Sequence, residues 1–166
     1  MTPARHFIDE RLASTWKEID ADFLLWQSRK KHPNVEFSGS VAHVYWTKTL
    51  DQHAASLTNA AFAAAREIAE DHRLDAVESA QAAGDAVENA FHRLLISMTN
   101  IDRSLRGQGF PDGVPKRDHT HDLNRCLKRL AARTTAEVDA AKARSSHSVA
   151  LPLSADHGML WFWIHA

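Results

Sequence analysis

The chain has 166 residues, carries 20 Lys+Arg against 21 Asp+Glu, and is 44% hydrophobic, which suits one domain with a core that needs no staples. A formal net charge of −1 excludes a strongly basic nucleic-acid binder and an acidic solvating tail. One cysteine, Cys126, excludes an internal disulfide framework. With no apolar run near the roughly 20 residues of a membrane span and no secretory h-region after Met1, the expectation is a soluble, cytoplasmic protein with no membrane partner.

Thr2-Pro3 reads as an N-cap followed by proline at the first helical position. Ile8, Leu12, Trp16, Ile19, Phe23 and Trp26 then recur at three- and four-residue spacing, predicting a helix to about Lys31. After the breaker His32-Pro33-Asn34, a second helix is predicted from near Ser40, with Val44, Leu50, Leu57, Ala61, Ala64 and Ile68 on one face. Its alanine-rich stretch, Ala54 to Ala65, allows a neighbouring helix to come close.

Arg73-Leu74-Asp75 is read as a hinge, and the third helix carries Val77, Ala80, Gly84, Val87, Phe91, Leu94, Met98, Ile101 and Leu105. The stretch Gly107 to Pro115 holds three of the six glycines and two of the five prolines and is predicted as a long loop. A fourth helix follows from about Asp118, with Leu123, Leu127, Leu130, Thr134, Val138 and Ala141 as its stripe. No segment shows strand alternation, so the predicted fold is all-α, an up-down four-helix bundle over residues 1–145. Residues 146–166 are read as an irregular, aromatic-rich tail packed on it. There, Met159-Leu160-Trp161-Phe162-Trp163-Ile164 fits a segment packed on the bundle, a dimer seam or a partner-docking anchor. The surplus of apolar surface predicts a homodimer.

Eleven histidines raise the question of a metal. The densest cluster is Asp118-His119-Thr120-His121-Asp122, but residues two apart do not share a helix face. The ferritin-type Glu-x-x-His, His-Glu-x-x-His and Cys/His finger spacings are absent, so neither a metal nor another cofactor is expected. Asp118 and Asp122 are read as favourable to a helix N-terminus. Cys126 reads as a small core residue.

Charge is divided along the chain. Residues 34–102 sum to −6 and residues 103–144 to +5. Arg125, Lys128, Arg129 and Arg133 follow helical spacing and form one strip, which is either a solvated face or a contact surface for RNA or an acidic partner protein. No aromatic is interleaved on it, so base stacking is not suggested.

Residues 76–95, with Glu88 in an Ala/Gln-rich helix, then a Gly/Pro loop, then Thr120-His121-Asp122-Leu123 opening a basic helix, resemble the HEPN domain over roughly residues 46 to 135. His92 stands where that family often has Lys. The resemblance implies a helical bundle and either an RNase or a non-catalytic partner in toxin–antitoxin or nucleotidyltransferase systems. The family's RNases share an Arg-x(4–6)-His motif, in which Arg supports the phosphate and His does acid/base work. The match to that spacing, Arg66 to His72, lies upstream of the Glu-bearing helix and among Glu67, Glu70 and Asp71, while Arg144 and His147 are too close together. The expected function is therefore non-catalytic binding through Arg125, Lys128, Arg129 and Arg133. One alternative is a metal-independent RNase using Arg117, His119 and His121; the other is a metal-binding enzyme built on the histidines.

Overall fold

A computed structural model describes residues 2–28, 45–71, 74–107 and 119–149, in which all regular structure is helical and no strand occurs. The four helices are α1 (Pro3–Gln27), α2 (Leu50–Asp71), α3 (Ala76–Gly107) and α4 (His119–Val149), with a π-helical turn, Tyr45–Thr49, leading into α2. The chain thus enters α2 through this wider turn rather than as an uninterrupted α-helix. Arg117 and Asp118, residues 108–115 of the predicted loop, Val44 and the Trp161-Phe162-Trp163 segment lie outside the described residues.

The helix starts follow from local chemistry. Thr2 Oγ1 accepts a hydrogen bond from Arg5 N at 3.3 Å, with Pro3 as the first helical residue. At the α3 start, Asp75 Oδ1 accepts from Glu78 N at 2.7 Å, so the predicted hinge also contains an N-cap. Residues 146–149, expected to be irregular, continue α4. Ser145 and Ser146 donate their hydroxyls to Ala141 O and Lys142 O, the i−4 bond that lets serine sit inside a helix.

Every stripe residue predicted for α1 is buried, as are Leu50, Leu57, Ala61, Ala64 and Ile68 of α2 and Ala80 through Ile101 of the α3 stripe. The core takes in alanines from both middle helices, Ala54, Ala61, Ala64 and Ala65 of α2 and Ala83, Ala86 and Ala90 of α3. The large fully buried side chains are Phe62, Ile8, Ile19, Leu57, Ile68, Leu94 and Met98.

Helix α3 is central. It packs on α1, α2 and α4, whereas α1 packs on α2 and α3, and α4 meets α2 only lightly. Cross-helix pairs fix the directions. Arg11 with Glu67 and Asp22 with His53 make α1 and α2 antiparallel; Asp51 with Arg125 and Arg66 with Glu137 make α2 and α4 parallel. Because α1 and α4 sit on opposite sides of the α2–α3 pair, α4 flanks α2 without closing onto it, and a cleft remains between them.

The α3–α4 crossing is set by Gly84. A Cβ there would lie 2.8 Å from Thr134 Oγ1 and 2.9 Å from its Cγ2, so glycine permits this approach. On the other side of the molecule, Arg93 of α3 lies over the Trp16 ring at 4.0 Å and 3.8 Å from Asp20 of α1.

Candidate functional site

The cleft between α2 and α4 has a volume of about 240 Å³. Ala54, Phe91, Cys126 and Leu130 form its apolar floor, and all four are buried. Asp51 and Asn59 of α2 and Arg129 and Arg133 of α4 give it a polar edge.

The helices position these groups through a shared pair of carboxylates. Asp51 Oδ1 lies 3.1 Å from Arg125 Nη2 and 3.3 Å from Arg129 Nη1. Further along, Glu137 Oε1 accepts from Arg66 Nη1 and lies the same 2.8 Å from Arg133 Nη2. Each carboxylate therefore serves two guanidiniums, one more exposed than the other at each end. Arg129 is 65% exposed against 28% for Arg125, and Arg133 is 47% exposed against 39% for Arg66. At the Glu137 end one acid faces two permanent cations, so positive charge is left over there, whereas at the Asp51 end Asp122 stands as a second acid beside Arg125.

Arg125 is the best anchored of the four. Its Nη1 donates to Asp51 Oδ2 at 3.3 Å, and its Nη2 lies 3.6 Å from Asp122 Oδ1. Its Nε and Nη2 are buried and make no hydrogen bond among the described residues; the 3.1 Å approach of Nη2 to Asp51 is an ion-pair contact without hydrogen-bond alignment. The Arg133 guanidinium also lies 5.9 Å from the Phe62 ring centroid.

Burial holds the Cys126 thiol above its ordinary pKa. Arg125 and Arg129 pull it down, while Asp51 and Asp122 add to the rise. At neutral pH the floor of the cleft therefore carries a thiol rather than a thiolate, which makes it a poor nucleophile.

Of the residues singled out from sequence, Arg125, Arg129 and Arg133 meet along the α2/α4 edge, and Lys128 is exposed on the same helix. His121 is exposed in the first turn of α4, and the neighbouring Asp122 is buried rather than solvated. Glu88 is exposed and lines a separate α3/α4 groove with Gly84, Asp85 and Thr134. Among the described residues, no three His, Cys, Asp or Glu side chains gather as a metal site would require, and no helix is long and apolar enough to cross a membrane.

Sequence reasoning missed Asp51, Arg66 and Glu137 as parts of this edge. The pairs Asp51–Arg125 and Arg66–Glu137 span more than seventy positions and no local pattern joins them, although Arg133 and Glu137 are a local i,i+4 pair. Comparison with known proteins assigns no family: no family model, curated protein or solved structure matches this chain.

Proposed function

We propose that this protein is a non-catalytic binding protein, a helical bundle resembling the HEPN partners of toxin–antitoxin or nucleotidyltransferase systems, and that the α4 edge formed by Arg125, Lys128, Arg129 and Arg133 contacts an acidic partner protein. The observation that carries this reading is the sharing of Asp51 and Glu137 between two arginines each, which leaves exposed guanidinium donors on α4. RNA is the weaker occupant, because Phe91 in the cleft floor and Phe62 beside Arg133 are both buried and offer no stacking face. An RNase reading through Arg66 has to take that side chain away from Glu137, to which it is bonded. The homodimer suggested by the Trp161-Phe162-Trp163 segment belongs to the same proposal, and sedimentation at micromolar concentration tests it.

Binding of polyglutamate and of a single-stranded RNA homopolymer, each titrated with salt, tests the main reading. Polyglutamate should bind, weaken as salt rises, and lose affinity when Arg129 and Arg133 are both changed to glutamate with helicity intact. Tighter binding of the RNA, or no binding of either polymer, overturns it.

A further inference from the structure

We infer that the α2/α4 cleft takes one large apolar side chain of an acidic peptide segment, whose flanking carboxylates bond Arg129 and Arg133. The inference deepens the reading above, since it rests on an acidic partner and names the element of that partner that is recognised.

Size argues for a single side chain. Pockets for drug-sized ligands and cofactors run to about 300–1,000 Å³, whereas this cleft holds about 240 Å³. Its length agrees: the α2 wall runs from Asp51 to Asn59, about 12 Å at the helical rise, enough for about two turns of a helix or a few extended residues. Such a segment seats one anchor and the residues on either side of it.

Chemistry argues for an apolar anchor beside acids. The floor of Ala54, Phe91, Cys126 and Leu130 presents methyl, ring and thiol surface and has no charged group. A phosphate, a sugar or a charged side chain placed there loses its hydration without gaining a partner. Arg129 and Arg133, by contrast, stand one helical turn apart on the α4 wall, so a single short segment reaches both. Arg133 shares Glu137 with Arg66, and Arg129 is largely exposed and meets Asp51 through Nη1 alone at 3.3 Å, so an incoming carboxylate finds donors on both. Asp51, on the α2 wall, disfavours a basic segment in the same groove.

The probe is a capped, fluorescently labelled peptide, Glu-Glu-Phe-Glu-Glu, compared with versions in which Phe becomes Ala or every Glu becomes Gln. Anisotropy reads affinity, and an alanine-methyl spectrum of the full chain reads location through Ala54 and Ala55. The Phe peptide should shift both methyls and bind about tenfold more tightly than its Ala version. The Gln version should lose about tenfold as well. Ala55→Trp fills the cleft from an exposed position on α2 and should reduce the Phe peptide to the affinity of the Ala peptide. Arg129→Gln, a surface change that keeps helix propensity, should weaken all acidic peptides. Equal binding of the Phe and Ala peptides, unaffected by Ala55→Trp, overturns the anchor while leaving the acidic-partner reading standing. Failure of both acidic peptides to bind overturns the two together, and binding of the Gln peptide alone shows an apolar groove with no charge recognition and also overturns the inference.

Discussion

Replacing Gly84 with alanine tests the α3–α4 crossing in a way that separates packing from helix propensity. Glycine inside a helix costs about 0.5–1 kcal/mol relative to alanine, so at an open site the substitution stabilises by that amount. Here the new Cβ meets Thr134 Oγ1 at 2.8 Å and Cγ2 at 2.9 Å, and Thr134 has little freedom to withdraw. It is β-branched and its hydroxyl donates to Leu130 O at 3.0 Å. Overpacking of this kind costs about 1–3 kcal/mol, which outweighs the propensity gain and leaves Gly84→Ala destabilising by about 1 kcal/mol. Thr134→Ala removes both short contacts, and the nearest remaining neighbour is Thr134 Cβ at 3.5 Å, an ordinary packing distance. In that background Gly84→Ala should change sign and stabilise by up to about 1 kcal/mol. The cycle therefore predicts a coupling of about 2 kcal/mol between the two positions, read from urea denaturation followed by circular dichroism. The same effect of Gly84→Ala in both backgrounds would refute the crossing.

Three further outcomes follow from the packing. Glu137→Gln weakens the acceptor that Arg66 and Arg133 share, and since the Glu137 side chain is only 12% exposed it should cost about 1–2 kcal/mol in urea denaturation; a change within a few tenths would count against the shared acceptor. His53→Leu removes the 3.0 Å bond to Asp22 Oδ2 and the edge contact with Phe23, and should lower stability by about 1–3 kcal/mol by thermal melting. The Cys126 thiol has a folded pKa above that of an unburied thiol, so its contribution is complete below the unburied value. It declines as pH rises from there through the folded value, because the unfolded chain ionises first. Cys126→Ala should therefore flatten the alkaline fall of unfolding free energy, and identical slopes for the two proteins would be inconsistent with the burial.

The parts of the fold legible in the sequence are those set by nearest turns. The α1 stripe from Ile8 to Trp26 is entirely buried because a three- and four-residue repeat of large apolar groups has one face to hide. The Thr2-Pro3 start was legible for the same local reason, and the Asp75-x-x-Glu78 spacing carried a cap signal that the hinge reading passed over. The α4 stripe is less complete, with Leu123, Leu127 and Thr134 half-buried, and the last two line the α3/α4 groove. Of the four arginine–carboxylate contacts that build the candidate site, only the i,i+4 pair Arg133–Glu137 had a local signal, and the three that cross between helices were not legible. Asp51 and Arg125 look like unrelated surface charges until α3 brings α2 and α4 side by side, and a cleft is a space between helices that no single helix encodes.

The outer position of α4 has a consequence for how the molecule breathes. Among the described residues it packs mainly on α3, along a stripe that is only partly covered, meets α2 only lightly, and is tied to it by the clasps at Asp51 and Glu137. Such a helix is expected to open as its own cooperative unit while α1, α2 and α3 stay folded. Amide protons along α4 should accordingly exchange through a sub-global opening that salt makes easier, because the clasps are ionic and half-exposed. The cleft floor would be uncovered in that same opening, so the surface we propose to receive a partner would also be the first internal boundary of the domain to come apart.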